Sequence, residues 1–189
     1  MEISAILKPL DVELVLESDL GVDVEVEETG STFEENSFLK ANAVRKATGL
    51  PALADDSGIA VDALGGAPGV HSARYGDDPA LDDWGRLLLL LKNTEQVPDG
   101  QRQAQFVSVI TLVYPDGRVI QARGEAHGEL LREAHGEGGF GYDPIFYYPP
   151  AGKTFAELTA GEKNQVSHRA KALKLFYEKL CEEGKHADQ

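Results

Sequence analysis

The chain has 189 residues, 42% of them hydrophobic and 26% charged, proportions that suit a soluble globular protein with a buried core. A formal net charge of −14 excludes a surface that grips polymeric DNA or RNA, or one that docks on an anionic membrane, because both need a basic face. Cys181 is the single cysteine, so no intrachain disulfide forms and a reducing cytosol is expected; no stretch has the length of a membrane span, and the first residues lack a signal-peptide pattern.

Met1 to Leu7 reads as part of an amphipathic helix, with Ile3, Ile6 and Leu7 on one side and Pro9 just beyond, and 12–16 reads as a strand. Thr32-Phe33-Glu34-Glu35 has the form of a capping box, which predicts a helix to about Thr48 with Gly49 as its stop. On that helix Asn36 and Lys40 are four apart and share a face. Leu50 to Ala54 is a short apolar run that reads as a buried strand, closed by Asp55-Asp56-Ser57-Gly58. Asp78-Pro79 is expected to start a helix carrying Leu87 to Leu91.

From Arg102 to Tyr114 apolar residues fall on both faces, the pattern of a central strand, and Pro115-Asp116-Gly117 predicts a tight turn into a hairpin partner from Val119. Val166, Ala170, Leu173, Tyr177 and Leu180 recur at helical spacing and give a last amphipathic helix. The expected fold is α/β: a single domain over 1–180 with a central mixed, twisted sheet flanked by helices, followed by a charged tail at 181–189.

Four segments could carry chemistry. Asp55 and Asp56 at the mouth of a core strand ask for a cation, because buried carboxylates need their charge compensated; a solvated strand end is the bland alternative. Hard oxygen ligands beside a substrate phosphate suit Mg²⁺. Glu27 and Glu28 precede the capped helix, where acids interact favourably with its dipole, and either becomes a metal ligand if that loop approaches Asp56.

Gly136 to Gly141 matches G-x-G-x-x-G, yet Tyr142-Asp143-Pro144 follows in place of a helix, which excludes a dinucleotide site. What remains is a backbone that can approach a ligand closely, with Phe140 and Tyr142 able to stack on a base and Asp143 able to accept its hydrogen bonds; a glycine turn with core aromatics is the alternative. Ser167-His168-Arg169 opens the last helix with a cap and two donors, a place for an anion or a carbonyl, and Lys163 lies near in sequence. There is no P-loop, no H-E-x-x-H and no G-x-S-x-G.

The order of these segments resembles the inosine/xanthosine triphosphate pyrophosphatase family. The match runs through Glu27 to Asn36, Ala54 to Gly58, Ala63 to Gly69 with Ser72 to Tyr75, Gly138 to Phe146, and Ser167 to Arg169. The resemblance implies a Mg²⁺-dependent cytosolic homodimer that hydrolyses ITP, dITP and XTP to the monophosphate and pyrophosphate, clearing deaminated purines from the nucleotide pool. By position it makes Asp56 the metal ligand and proton acceptor, and Glu27 a second metal-binding acid. It assigns Ser57, Phe140, Gly141, Tyr142, Asp143, Lys163, His168 and Arg169 to substrate binding.

One departure stands out. The family begins with a strand and a [ST]-x-N-x-x-[KR] loop that holds the triphosphate, whereas Met1 to Leu7 aligns with the helix after it. The first family strand is therefore missing from the sequence as given and is expected to lie upstream of Met1; the alternative expectation is a catalytically weakened nucleotide-binding homologue that lacks the loop.

Overall fold

A computed structural model describes residues 13–187. The expected helix at Met1 to Leu7 lies outside the described residues, and so does the question of a strand before it. The elements are α1 (Phe33–Thr48), β1 (Ala52–Val61), α2 (Asp83–Asn93), β2 (Gln103–Val113), β3 (Val119–Leu130), β4 (Phe146–Tyr148), β5 (Lys153–Thr154), α3 (Ala160–Val166) and α4 (His168–Ala187), with short 3-10 turns between them. One five-stranded sheet runs in the order β1-β2-β3-β4-β5. β4 pairs antiparallel with β3 (Glu129 opposite Tyr147) and with β5 (Tyr147 opposite Thr154). The α/β class is as expected.

The chain forms two compact units. The first comprises Met1–Asp56, Ser108–Gly124 and Arg169–Gln189; the second comprises Ser57–Val107 and Glu125–His168. The three long strands each run through both units. Unit 1 is built on Ile110, Ile120 and Ala122 of the sheet packed with Ala172, Leu173 and Phe176 of α4. Unit 2 buries Ile59, Leu87, Leu90, Phe106, Ile145, Phe146 and Phe155, with Phe106 edge-on to Phe146 at 4.7 Å and stacked on Phe155 at 5.7 Å.

The capping box forms as its sequence predicts. Thr32 Oγ1 accepts from Glu35 N at 3.1 Å, and Glu35 Oε2 accepts from Thr32 N at 3.2 Å and Ser31 N at 2.6 Å. Gly49, at φ 71°, ends the helix with its N–H on Arg45 O. The hairpin turn after β2 also forms, with Tyr114 N donating to Arg118 O at 2.9 Å. β2 lies between β1 and β3 and is buried along most of its length, the central position that its two apolar faces require.

Other elements differ. Residues 13–16 have no regular structure, and Leu14, Val15 and Leu16 are exposed, so the expected strand does not form over them. α2 starts at Asp83 and not at Asp78. Asp78 closes a separate turn through Ala80 N at 2.9 Å, and Asp82 caps the helix by accepting from Gly85 N at 2.7 Å. β1 continues to Val61, so Asp55 and Asp56 lie inside the strand and not at its mouth. Strand alternation then sends the two carboxylates to opposite faces, Asp56 buried and Asp55 half-buried. Helix α4 continues through 181–187, residues that the sequence reading assigns to a tail.

Candidate active site

In unit 1, two charged side chains, Lys40 and Glu28, gather around Asp56. Lys40 Nζ lies 2.8 Å from Asp56 Oδ1 and 3.1 Å from Glu28 Oε1. Lys40 is placed there by the second turn of α1, whose register the capping box fixes. Burial pushes the Asp56 carboxyl above its ordinary value and the charge of Glu28 pushes the same way, outweighing Lys40 and a hydrogen-bonding contribution from Asn36. Burial works against the Lys40 ammonium too, but its two carboxylate partners outweigh it and its pKa rises. The second oxygen, Asp56 Oδ2, is buried with no hydrogen-bond partner among the described residues.

That unfilled carboxylate oxygen, with Glu28 close by, is the test of a divalent cation at this place. Among the described residues no three His, Cys, Asp or Glu side chains are grouped to hold a metal. Two carboxylates are nevertheless the usual protein share of a Mg²⁺ site whose other ligands are water and substrate phosphates. The donor set fits. Of the two acids before α1, Glu28 is the one that meets Lys40, while the expected Glu27 is exposed. The backbone turns tightly here, with Thr29 N donating to Glu27 O at 3.0 Å across Glu28. On the other face of β1, Asp55 Oδ2 accepts from Arg169 at 3.0 Å, which holds this guanidinium at the start of α4.

Unit 2 gathers a second group. Asp143 is almost fully buried, its Oδ2 accepts from Phe140 N at 2.9 Å, and the same oxygen pairs with Lys163 Nζ. Lys163 lies 4.6 Å from the centroid of the Phe140 ring and 5.6 Å from that of Phe155. Phe140 is 65% exposed, a large aromatic left in water. His168 is buried, with its ring stacked on Phe106 at 4.9 Å and 14°. The glycines of this loop have steric reasons: a Cβ on Gly139, at φ 74°, would lie 2.2 Å from Asp143 Oδ2.

Two of the expected roles change here. The Tyr142 side chain is only 6% exposed and its hydroxyl donates to Ser72 O at 2.8 Å, so it is a core anchor and not a stacking platform; burial pushes its phenol well up. Asp143 uses Oδ2 to hold the loop and Lys163, so the carboxylate acts on the neighbouring protein groups first. Ser57 is half-buried on β1, and Gly141, at φ 59°, completes the turn. The sequence gives Lys40 no role, although its i, i+4 relation to Asn36 is visible, and the resemblance singles out Glu27 where Glu28 is the acid that meets Lys40.

The fold is α/β, with a buried, partly compensated carboxylate beside a lysine in unit 1 and an exposed aromatic beside a lysine in unit 2. Sequence comparison gives the particular family: the chain belongs to the Ham1 family, whose model matches residues 1–179. It is 50% identical over 181 residues to the dITP/XTP pyrophosphatase of Shigella flexneri, covering 95% of this chain and 91% of that protein. It is 51% identical over 172 residues to a dITP/XTP pyrophosphatase of Thermus thermophilus, covering 91% and 82%. The solved Ham1 proteins of Coxiella burnetii and Staphylococcus aureus superpose with TM-scores of 0.90 and 0.89, each at 42% identity over 96% of this chain and 92% of theirs.

Proposed function

We propose that this chain hydrolyses deaminated purine nucleoside triphosphates (ITP, dITP and XTP) to the monophosphate and pyrophosphate. The observation that carries the reading is Asp56: a buried carboxylate with one oxygen on Lys40 and the other unfilled, in a chain half identical to dITP/XTP pyrophosphatases. Its raised pKa suits a base that takes a proton from water. The water oxygen bonds to the α-phosphorus, the bond from that phosphorus to the α-β bridging oxygen breaks, and pyrophosphate leaves.

Asp56 and Glu28 would hold Mg²⁺, which when bound supplies charge neutralisation on the phosphate oxygens. Lys40 adds a second cation beside the same carboxylates. Within unit 2, Phe140 offers a stacking face for a base and Lys163 and His168 offer donors; within unit 1, Arg169 offers a further donor. Asp143 fixes Lys163, and Asp55 fixes Arg169. Donors that meet a 6-oxo group would face another donor in a 6-amino purine, which is why ATP is refused.

The reading includes a cytosolic homodimer, as the family resemblance implies, with no nucleic-acid polymer and no membrane as partner. For the dimer, light scattering should return twice the 20.4 kDa of one chain. The activity is tested by pyrophosphate release from ITP, XTP, GTP and ATP at equal concentration, with Mg²⁺ and after chelation. ITP and XTP should exceed ATP by about 10²-fold or more, and chelation should stop the reaction. ATP turned over as fast as ITP refutes the substrate assignment; nucleotide-dependent stabilisation without pyrophosphate indicates a binding protein.

A further inference from the structure

Helix α1 carries Lys40, yet little apolar surface holds this helix in place. Its buried residues are Phe33, Asn36, Ser37 and Ala41, so a single large apolar side chain among them is withdrawn from water. Apolar packing is non-directional, and one phenylalanine with one alanine tolerates a helix that slides or rolls. The capping box fixes where α1 starts, but not where it sits on the sheet.

A ring of hydrogen bonds within unit 1 does that. Ser37 and Thr111 are both fully buried, and their hydroxyl oxygens lie 2.7 Å apart. Ser37 Oγ donates to Glu34 O at 3.1 Å. Gln121 Nε2, on β3, donates to Thr111 Oγ1 at 2.8 Å and to Glu34 O at 3.0 Å. One assignment of protons satisfies all four contacts. The Ser37 proton goes to Glu34 O, so the Thr111 hydroxyl donates to Ser37 Oγ, and the two amide protons of Gln121 serve Thr111 and Glu34. The ring ties the first turns of α1 to β2 and β3. Hydrogen bonds of these lengths weaken steeply when their partners shift, so a closed buried ring selects one seat where apolar contact allows several.

Lys40 follows Ser37 by three residues and lies on the same side of α1. Thr111 belongs to β2, next to the strand that carries Asp56. We propose that Ser37, Thr111 and Gln121 are positioning residues: their buried ring sets the seat of α1 on the sheet and thereby holds Lys40 Nζ against Asp56 and Glu28. They act through Lys40, and their effect on hydrolysis rests on the reading of Asp56 given above.

The test is Thr111→Val, which keeps the branched shape and removes the hydroxyl, beside Thr111→Ser, which keeps the hydroxyl. Ser37→Ala takes the place of Thr111→Val if the latter does not fold. Limited acetylation, read by mass spectrometry well below the melting temperature, compares the partly buried Lys40 with the exposed Lys46 of the same helix. The ratio of Lys40 to Lys46 labelling should rise about threefold or more in Thr111→Val and keep the parent's value in Thr111→Ser. In pyrophosphate release from ITP, Thr111→Val should lose about fivefold to fiftyfold in kcat, while Thr111→Ser stays within about twofold of the parent. Thr111→Val should still bind the non-cleavable α,β-methylene analogue of ITP within about threefold of the parent by calorimetry. An unchanged labelling ratio in Thr111→Val overturns the proposal. So does a loss of kcat equal in the two variants, or one matched by an equal loss of analogue binding. A parent that does not hydrolyse ITP refutes the proposed function, and the labelling ratio then decides the seating of Lys40 by itself.

Discussion

Asp56 and Lys40 form one ion pair, yet removing one partner should cost more stability than removing the other. In Lys40→Met the charge left behind is Asp56, whose side chain is 9% exposed and whose Oδ2 is already unfilled. Stranding a buried charge costs about 3–5 kcal/mol at full burial, and the quarter exposure of Lys40 itself reduces this to about 2 kcal/mol. In Asp56→Asn the charge left behind is Lys40, which keeps Glu28 at 3.1 Å and reaches solvent. That loss should stay below about 1 kcal/mol.

At about 2–4 °C per kcal/mol for a chain of this size, scanning calorimetry should find Lys40→Met lowered by about 4–8 °C and Asp56→Asn by less than about 4 °C. Pyrophosphate release should nonetheless fall by about 10²-fold or more in Asp56→Asn, because the base is gone. The asymmetry also depends on pH. The folded pKa of Asp56 lies above its ordinary 3.8, so its favourable contribution is complete below that value and is lost as pH rises through the folded one. The deficit of Lys40→Met should therefore shrink as pH falls towards 3.8, where a protonated Asp56 needs no cation. Equal melting losses in the two variants, or a Lys40→Met deficit that grows in acid, would refute this account of the pair.

Three further outcomes are expected. Phe140→Ala should leave melting unchanged but raise KM for ITP by about tenfold, since a base-stacking ring contributes about 1–3 kcal/mol; an unchanged KM removes Phe140 from the base site. Tyr142→Phe should lower stability by about 1 kcal/mol through loss of the bond to Ser72 O, with KM unaltered, and a large rise in KM would restore Tyr142 to the site. Glu35, Glu157 and Glu162 are each held below the ordinary 4.5 chiefly by backbone N–H groups, of Ser31, Thr154 and Thr159 respectively. Their stabilisation is present above 4.5 and lost as pH falls through the lowered values, so a Glu35→Gln variant should lose part of the acid sensitivity of the parent in pH-dependent unfolding.

What could be read from the sequence was what local chemistry decides. The capping box at Thr32, the Gly49 stop and the Asp116-Gly117 turn depend on residues within four positions of one another, and all three formed. What could not be read depends on distant partners. Ser57-Gly58 looked like the end of a strand, but the strand continues to Val61 because Ile59, Ala60 and Val61 belong to the same buried run. The Tyr142 hydroxyl meets a carbonyl 70 residues away, and no spacing in the chain announces that contact. Glu27 and Glu28 are chemically identical, so only the backbone of the loop could choose between them. The candidate site was therefore legible as a set of segments, while the facing of each side chain was not.

The most direct measurement is hydrolysis of ITP in ¹⁸O-labelled water, with the label located by ³¹P NMR or mass spectrometry. Attack on the α-phosphorus by a water that Asp56 orients places the label in IMP and none in pyrophosphate, and Asp56→Asn should show neither product at an appreciable rate. Label in pyrophosphate, or products of IDP and inorganic phosphate, would contradict the account.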